Sequence, residues 1–111
     1  MASPKPGAKV RGSRSGRAIM ALLDLLGRRW TLRIVWELRA ARLNFRALQA
    51  ACGDASPTVM SRRLSELRDA GFVDLDDAGY GLTAHGHELI ASLEPLSRCA
   101  TRWQERSGAR R

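Results

Sequence analysis

Ser56-Pro57-Thr58-Val59-Met60-Ser61-Arg62-Arg63-Leu64-Ser65-Glu66-Leu67 decides the fold. Serine is a favoured N-cap, and proline suits the first helical position because its missing N–H has no partner there anyway. At helical spacing Met60, Leu64 and Leu67 share one face, and Gly71 is a natural C-cap. The opposite arc carries Thr58, Ser61, Arg62 and Ser65, with Arg63 at its margin. Just upstream, Asn44 caps a shorter segment bearing Phe45, Leu48 and Ala51, and Cys52-Gly53-Asp54 reads as a turn. Helix, tight turn, helix from Asn44 to Gly71 is a helix-turn-helix unit. In such a unit the second helix lies in the DNA major groove with its N-terminal residues toward the bases. Small hydroxyls allow close approach, and an arginine forks onto guanine or onto a phosphate. Alone, the helix passes for an ordinary amphipathic surface helix; the unit around it points to DNA.

Working outward, Arg17 to Leu26 places Ile19, Leu22, Leu23 and Leu26 on one helical face, and Gly27 ends it. A second helix is expected from Thr31 to about Ala41, with Ile34, Val35 and Leu38 inward and Trp30 just before it. Past Gly71, Phe72 to Leu75, the turn Asp76-Asp77-Ala78-Gly79, and Tyr80 to Leu82 read as a short β-hairpin. Thr83 caps a last helix running to about Arg106. Leu89, Leu93, Leu96, Ala100 and Trp103 are spaced 4, 3, 4, 3 along it, a heptad seam suited to packing along another helix. Pro95 predicts a kink or break near Ala91–Pro95. The fold class is therefore mainly α with a small β-hairpin wing, a winged helix-turn-helix. The seam favours packing between subunits over packing within one domain, because it runs past the compact part.

At 111 residues the chain has room for one domain. Residues 1–16 hold Pro, Gly, Ser, Lys and Arg and read as a disordered basic arm. Residues 17–106 form the domain with its C-terminal dimerisation helix, and 107–111 a basic tail. The net charge of +8 favours polyanionic partners, nucleic acid ahead of a membrane surface. Its distribution is uneven: residues 1–17 carry +5 and 102–111 carry +3. In 18–101, ten arginines balance ten carboxylates. A content of 44% hydrophobic residues argues against overall disorder. The longest apolar run, Ala18 to Leu23, is far short of the ~18 residues a membrane span needs. It also makes a poor signal peptide, with Gly27-Arg28-Arg29 where cleavage would fall. Two cysteines form no disulfide framework, and a reducing cytoplasm is the expected location.

Four blocks resemble the HxlR-type winged helix-turn-helix transcriptional regulators of bacteria. They are Leu23-Asp24-Leu25-Leu26-Gly27-Arg28-Arg29-Trp30-Thr31-Leu32, Asn44 to Leu48, Ser56 to Leu67 with Ala70-Gly71-Phe72-Val73, and Tyr80-Gly81-Leu82-Thr83 with Gly86. The resemblance spans about residues 17–106. It implies a homodimer built through the first and last helices, binding inverted-repeat operator DNA to repress or activate. Ile19, Leu22, Leu23, Leu89, Leu93, Leu96, Ala100 and Trp103 are then the expected dimer contacts. Ser56, Pro57, Thr58, Ser61, Arg62, Arg63 and Ser65 are the expected DNA contacts, with Arg28 and Arg29 on the backbone. Two departures stand out. Arg17 sits where family sensors of oxidants often carry a cysteine. The hairpin is short, lacks the usual basic residue and bears Asp74, Asp76 and Asp77, which repel phosphate. Either the wing tip stays off the DNA or the basic arm takes over groove contact, as homeodomain arms do.

The remaining signals are bland. Cys52 reads as a buried structural thiol and Cys99 as a reduced thiol near the seam. His85 and His87 are two apart and point in different directions, so no metal is expected. Trp30, Trp36 and Trp103 fit packing better than an effector pocket, although an unknown small-molecule effector stays open. There is no phosphate-binding glycine loop, nucleophile elbow or Cys–His pattern, so neither an enzyme nor a cofactor is expected. The competing reading is a winged-helix protein-interaction module that has lost operator reading, for which the acidic hairpin is the best feature.

Overall fold

The structure, a computed structural model, describes residues 16–109. The expected arm falls outside these residues except for Gly16, as do the arginines at 110 and 111. Five helices and one hairpin follow in the expected order: α1 (Arg17–Leu26), α2 (Thr31–Glu37), α3 (Phe45–Ala51), α4 (Pro57–Asp69), β1 (Val73–Asp76), β2 (Gly79–Leu82) and α5 (Ala84–Ala109).

The caps act as their chemistry dictates. Asn44 Oδ1 accepts from the Ala47 N–H at 2.8 Å, and Ser56 Oγ accepts from Val59 at 3.4 Å with Pro57 at the first helical position. Thr83 Oγ1 accepts from the Gly86 N–H at 3.1 Å. Met60, Leu64 and Leu67 of α4 are fully buried, joining Leu25, Ile34, Val35, Leu38, Leu48, Val73, Leu82, Leu89 and Ile90 in one core. Each such side chain contributes about 1.5–3 kcal/mol. The core, rather than helix propensity, therefore fixes α4 (three serines or threonines in thirteen residues favour it little).

The structure departs from these expectations at several points. α2 stops at Glu37 instead of about Ala41. Its last turn tightens, with Leu38 N–H shared between Ile34 and Val35 carbonyls and Arg39 N–H donating to Trp36 O. The chain then turns so that Leu43 pairs antiparallel with Tyr80, a tertiary demand that local helix periodicity does not reveal. α1 buries Ala21 and Leu25, which lie off the face shared by Ile19, Leu22, Leu23 and Leu26; of that face Leu22 and Leu26 pack against the core, while Ile19 and Leu23, expected dimer contacts, are 52% and 53% exposed. The helix is apolar on most sides, so periodicity alone does not single out its buried residues. Finally, of the kink or break expected near Ala91–Pro95, the break does not occur: α5 continues through Pro95 to Ala109. Proline removes only one intrahelical N–H, and the carbonyl its ring crowds belongs to the small, exposed Ala91.

The hairpin registers Val73 with Leu82 and Asp76 with Gly79, leaving Asp77-Ala78 as a two-residue turn shorter than the four residues expected. Gly79 has φ +120 and lies against the Leu43 backbone, where no side chain fits.

Candidate nucleic-acid interface

The turn between α3 and α4 sets the angle of the second helix. Gly53 (φ +79) and Asp54 (φ +60) are both left-handed, a conformation glycine takes freely and aspartate tolerates. Gln49 Nε2 donates to the Ala55 carbonyl at 2.7 Å, and Ala55 is buried beneath the turn. Arg33 Nη2 ties the end of α3 by donating to Ala51 O at 3.0 Å. From this mount α4 turns Ser56, Pro57, Thr58, Ser61, Arg62 and Ser65 to solvent together.

The other expected contacts divide. Arg29 is exposed, with its guanidinium 5.4 Å from the centroid of the Trp30 ring. Arg28 and Arg63 are not on the open face. Arg28 Nη1 lies 2.9 Å from Glu66 Oε2, and Arg63 Nη1 donates to Glu66 Oε1 at 3.1 Å. Arg63 Nε also donates to the Arg29 carbonyl at 2.8 Å. The side chains of Arg28, Arg63 and Glu66 are only 20%, 16% and 12% exposed. The α1–α2 corner is thus stitched to α4. Trp30, within that corner, has φ +76.

The wing carries a group that sequence reasoning missed. Arg42 donates to Asp74, from Nε to Asp76 Oδ1 at 3.0 Å, and from Nη2 to the Gly79 carbonyl at 3.0 Å. The Asp74 hydrogen bond, above the other causes, raises the Arg42 pKa beyond its already high ordinary value. Two of the three wing carboxylates are therefore paired within the protein. The partners lie 32 and 34 residues apart, so no local pattern announces them.

The expected dimer residues fall into two sets. Leu89 is in the core and Leu22 and Leu93 pack against it, whereas Ile19, Leu23, Leu96, Ala100 and Trp103 are exposed. Leu96 and Ala100 border an apolar groove of about 370 Å³ with Leu32, Trp36 and Leu93, between α2 and α5. Cys52 is buried, which pushes its thiol pKa up, while Cys99 is exposed. His85 pairs weakly with Glu88 at 3.9 Å. Among the described residues no cluster of three metal-ligating side chains occurs, and no helix is long and apolar enough to cross a membrane.

Comparison with known proteins places this geometry in context. An HTH-type transcriptional regulator of Methanocaldococcus jannaschii is 26% identical over 91 residues, covering 78% of this chain and 85% of that protein. The HTH-type transcriptional regulator YvaP of Bacillus subtilis is 34% identical over 88 residues, covering 73% and 82%. A crystal structure of quinone-bound YodB from B. subtilis superposes with a TM-score of 0.71 at 25% identity, over 76% of this chain and 96% of that one. A possible HxlR family transcriptional factor from Thermoplasma volcanium gives 0.68 at 30% identity, over 76% and 82%. The family model described as HxlR-like helix-turn-helix matches residues 25–108, which takes in the stitched corner, α4, the wing and almost all of α5. The chain belongs to the HxlR-like helix-turn-helix family.

Proposed function

We propose that the protein is a cytoplasmic, sequence-specific DNA-binding transcription regulator, acting as a homodimer on inverted-repeat operator DNA with α4 in the major groove. The observation that carries this reading is the division of α4. Met60, Leu64 and Leu67 are completely buried, and the opposite face is small hydroxyls with an exposed arginine. A helix gripped at three points cannot rock, so Thr58, Ser61, Arg62 and Ser65 meet base edges in a fixed register. The N-terminal turn at Ser56-Pro57 offers its free N–H groups to a phosphate, and Arg29 adds a backbone contact beside it. Arg28 and Arg63, occupied by Glu66, serve to hold the surface rather than to touch DNA.

The homodimer is supported by the exposure of Ile19 and Leu23 on the first helix and of Leu96 and Trp103 on the last. Such large apolar side chains gain by covering one another. An apolar effector, which this reading admits, fits the groove between α2 and α5 that Leu96 lines. The competing reading, a protein-interaction module, rested on the acidic wing. Arg42, paired with both Asp74 and Asp76, offsets one of the wing's three negative charges, which weakens that argument.

Selection of bound duplexes from a random pool, followed by footprinting, tests the proposal. The expected result is a palindromic consensus protected in two half-sites one helical turn apart. A pool that shows no enrichment, with binding that merely collapses in salt, overturns it.

A further inference from the structure

We infer that Glu66 is a positioning residue for DNA binding: it locks the Arg28-Arg29-Trp30 corner onto α4 so that Arg29 is held ready for a phosphate at a set place beside Arg62. This rests on the DNA-binding reading above. A carboxylate beside two arginines on a surface meant for a polyanion is at first sight a poor choice, since it cancels attraction. Its geometry gives the reason. Glu66 forms an ion pair with Arg28 of the corner at 2.9 Å and accepts from Arg63 of its own helix, and the same Arg63 guanidinium donates to the Arg29 carbonyl. The backbone of Arg29 is thereby fastened to α4 at residue 63, next to the exposed Arg62.

The corner requires a fastening. Trp30 has φ +76, a left-handed conformation that bulky side chains rarely adopt and that persists only where its surroundings over-determine it. Here the carbonyl just before it is held by Arg63, Arg28 on one side is held by Glu66, and Thr31 on the other is completely buried. The Arg29 guanidinium then lies over the Trp30 ring, which limits where its charge points. Glu66 spends one negative charge on two inward arginines and leaves the outward one in a defined position. The lower entropy of a fixed cation is what a phosphate contact gains from.

The test uses the full-length protein and a duplex taken from the selected pool. Wild type, Glu66→Gln, Arg29→Ala and the double variant are compared by fluorescence anisotropy over a salt series, after circular dichroism confirms folding. Arg29→Ala is expected to lower the salt slope by about one, the loss of one phosphate contact. Glu66→Gln is expected to weaken binding several-fold at low salt and to lower the slope by a similar amount. The double variant should fall no further than either alone. In a second arm without DNA, Glu66→Gln should speed tryptic cleavage after Arg28 and Arg29 while other sites keep their rates. Arg63→Lys, which breaks the guanidinium fork but keeps the charge, should behave as Glu66→Gln and guards against a poorly folded first variant.

Additive losses in the double variant overturn the inference, because Arg29 would then act without Glu66. So does tighter binding by Glu66→Gln, which would make the carboxylate a simple repellent, or an unchanged corner cleavage rate. Failure of the wild type itself to bind the selected duplex overturns the DNA-binding reading instead, and the cleavage arm still judges the lock.

Discussion

Gly79→Ala should unseat the wing. A Cβ at residue 79 would lie 2.5 Å from the Leu43 carbonyl oxygen, 2.6 Å from its carbon and 2.8 Å from the Asn44 nitrogen. All three are backbone atoms, so no side chain can swing aside. The residue also has φ +120, and forcing an ordinary residue there costs about 1–3 kcal/mol. Relief of the clash requires the two strands to part. That breaks the Leu43 N–H to Tyr80 O bond of 3.0 Å and the Tyr80 N–H to Leu43 O bond of 2.8 Å. Two such bonds contribute about 1–3 kcal/mol together. The combined loss, on the order of 4 kcal/mol, is a large part of the ~5–15 kcal/mol available to a domain. It should lower the melting temperature by roughly 15–30 °C at this size. Gly53→Ala is the control: φ is +79, nothing lies within 4 Å, and only the left-handed penalty of about 1–2 kcal/mol applies. Urea and thermal melts without DNA measure both. Equal losses in the two variants would refute the claim that close approach of Leu43, rather than φ alone, dictates glycine at 79.

Arg62→Ala should cost about 1–3 kcal/mol of DNA affinity and relax the selected consensus at one base pair in each half-site; uniform weakening across sequences would mean a phosphate contact instead. Arg42→Ala should weaken binding at low salt by releasing Asp74 and Asp76, with the deficit closing as salt screens the repulsion; a deficit independent of salt would point to lost hairpin structure alone. Alkylation of the native protein should label Cys99 and spare Cys52. Because burial raises the Cys52 pKa, its neutral thiol favours the folded state fully below the ordinary value of 9.0, and this contribution is lost as pH rises through the higher folded value; Cys52→Ala should lack that alkaline decline. Deleting residues 1–16, which carry four cations, should flatten the salt slope by up to about 3.6 without changing the consensus, and an unchanged slope would remove the arm from the DNA contact.

The parts of the molecule set by neighbours in sequence were readable from it. Ser56 and Pro57 open α4, Asn44 opens α3 and Thr83 opens α5, because capping needs only a side chain three residues from an N–H. The buried triad Met60, Leu64 and Leu67 follows from helical period alone. What escaped depends on distant partners. The early end of α2 answers to the Leu43–Tyr80 bridge, and the fate of the wing carboxylates answers to Arg42. The Arg63–Glu66 pair is visible as an i,i+3 spacing, but Arg28, which completes it, lies on another element. The burial of Ala21 and Leu25 in α1 escaped for a different reason: with Ile19, Ala21, Leu22, Leu23, Leu25 and Leu26 in one short helix, several faces are apolar and only the tertiary contacts choose among them.

Net charge gives a poor guide to such a surface, because what counts is which charges are already spent. Residues 18–101 balance at zero, yet the balance is not spread evenly. Glu37, Glu66, Asp74 and Asp76 are each bound to an arginine of the scaffold: Arg33, Arg28 with Arg63, and Arg42. Those arginines join α2 to itself and to α3, the corner to α4, and the α2–α3 link to the wing. Glu37 and Glu66, so paired, project little field toward a polyanion, while the wing, with one arginine to three aspartates, stays acidic. Four arginines are used for these four carboxylates, so the remainder still balances, and what matters is placement: on α4 Glu66 is held inward while Arg62 is exposed, and Arg29 is exposed at the corner. A neutral body can present a positive working face when the carboxylate of its outward helix, Glu66, is held inward by two arginines while Arg62 stays exposed. The sequence-independent pull of the basic ends and the sequence-dependent grip of α4 become separable properties, the first steep in salt and the second set by geometry.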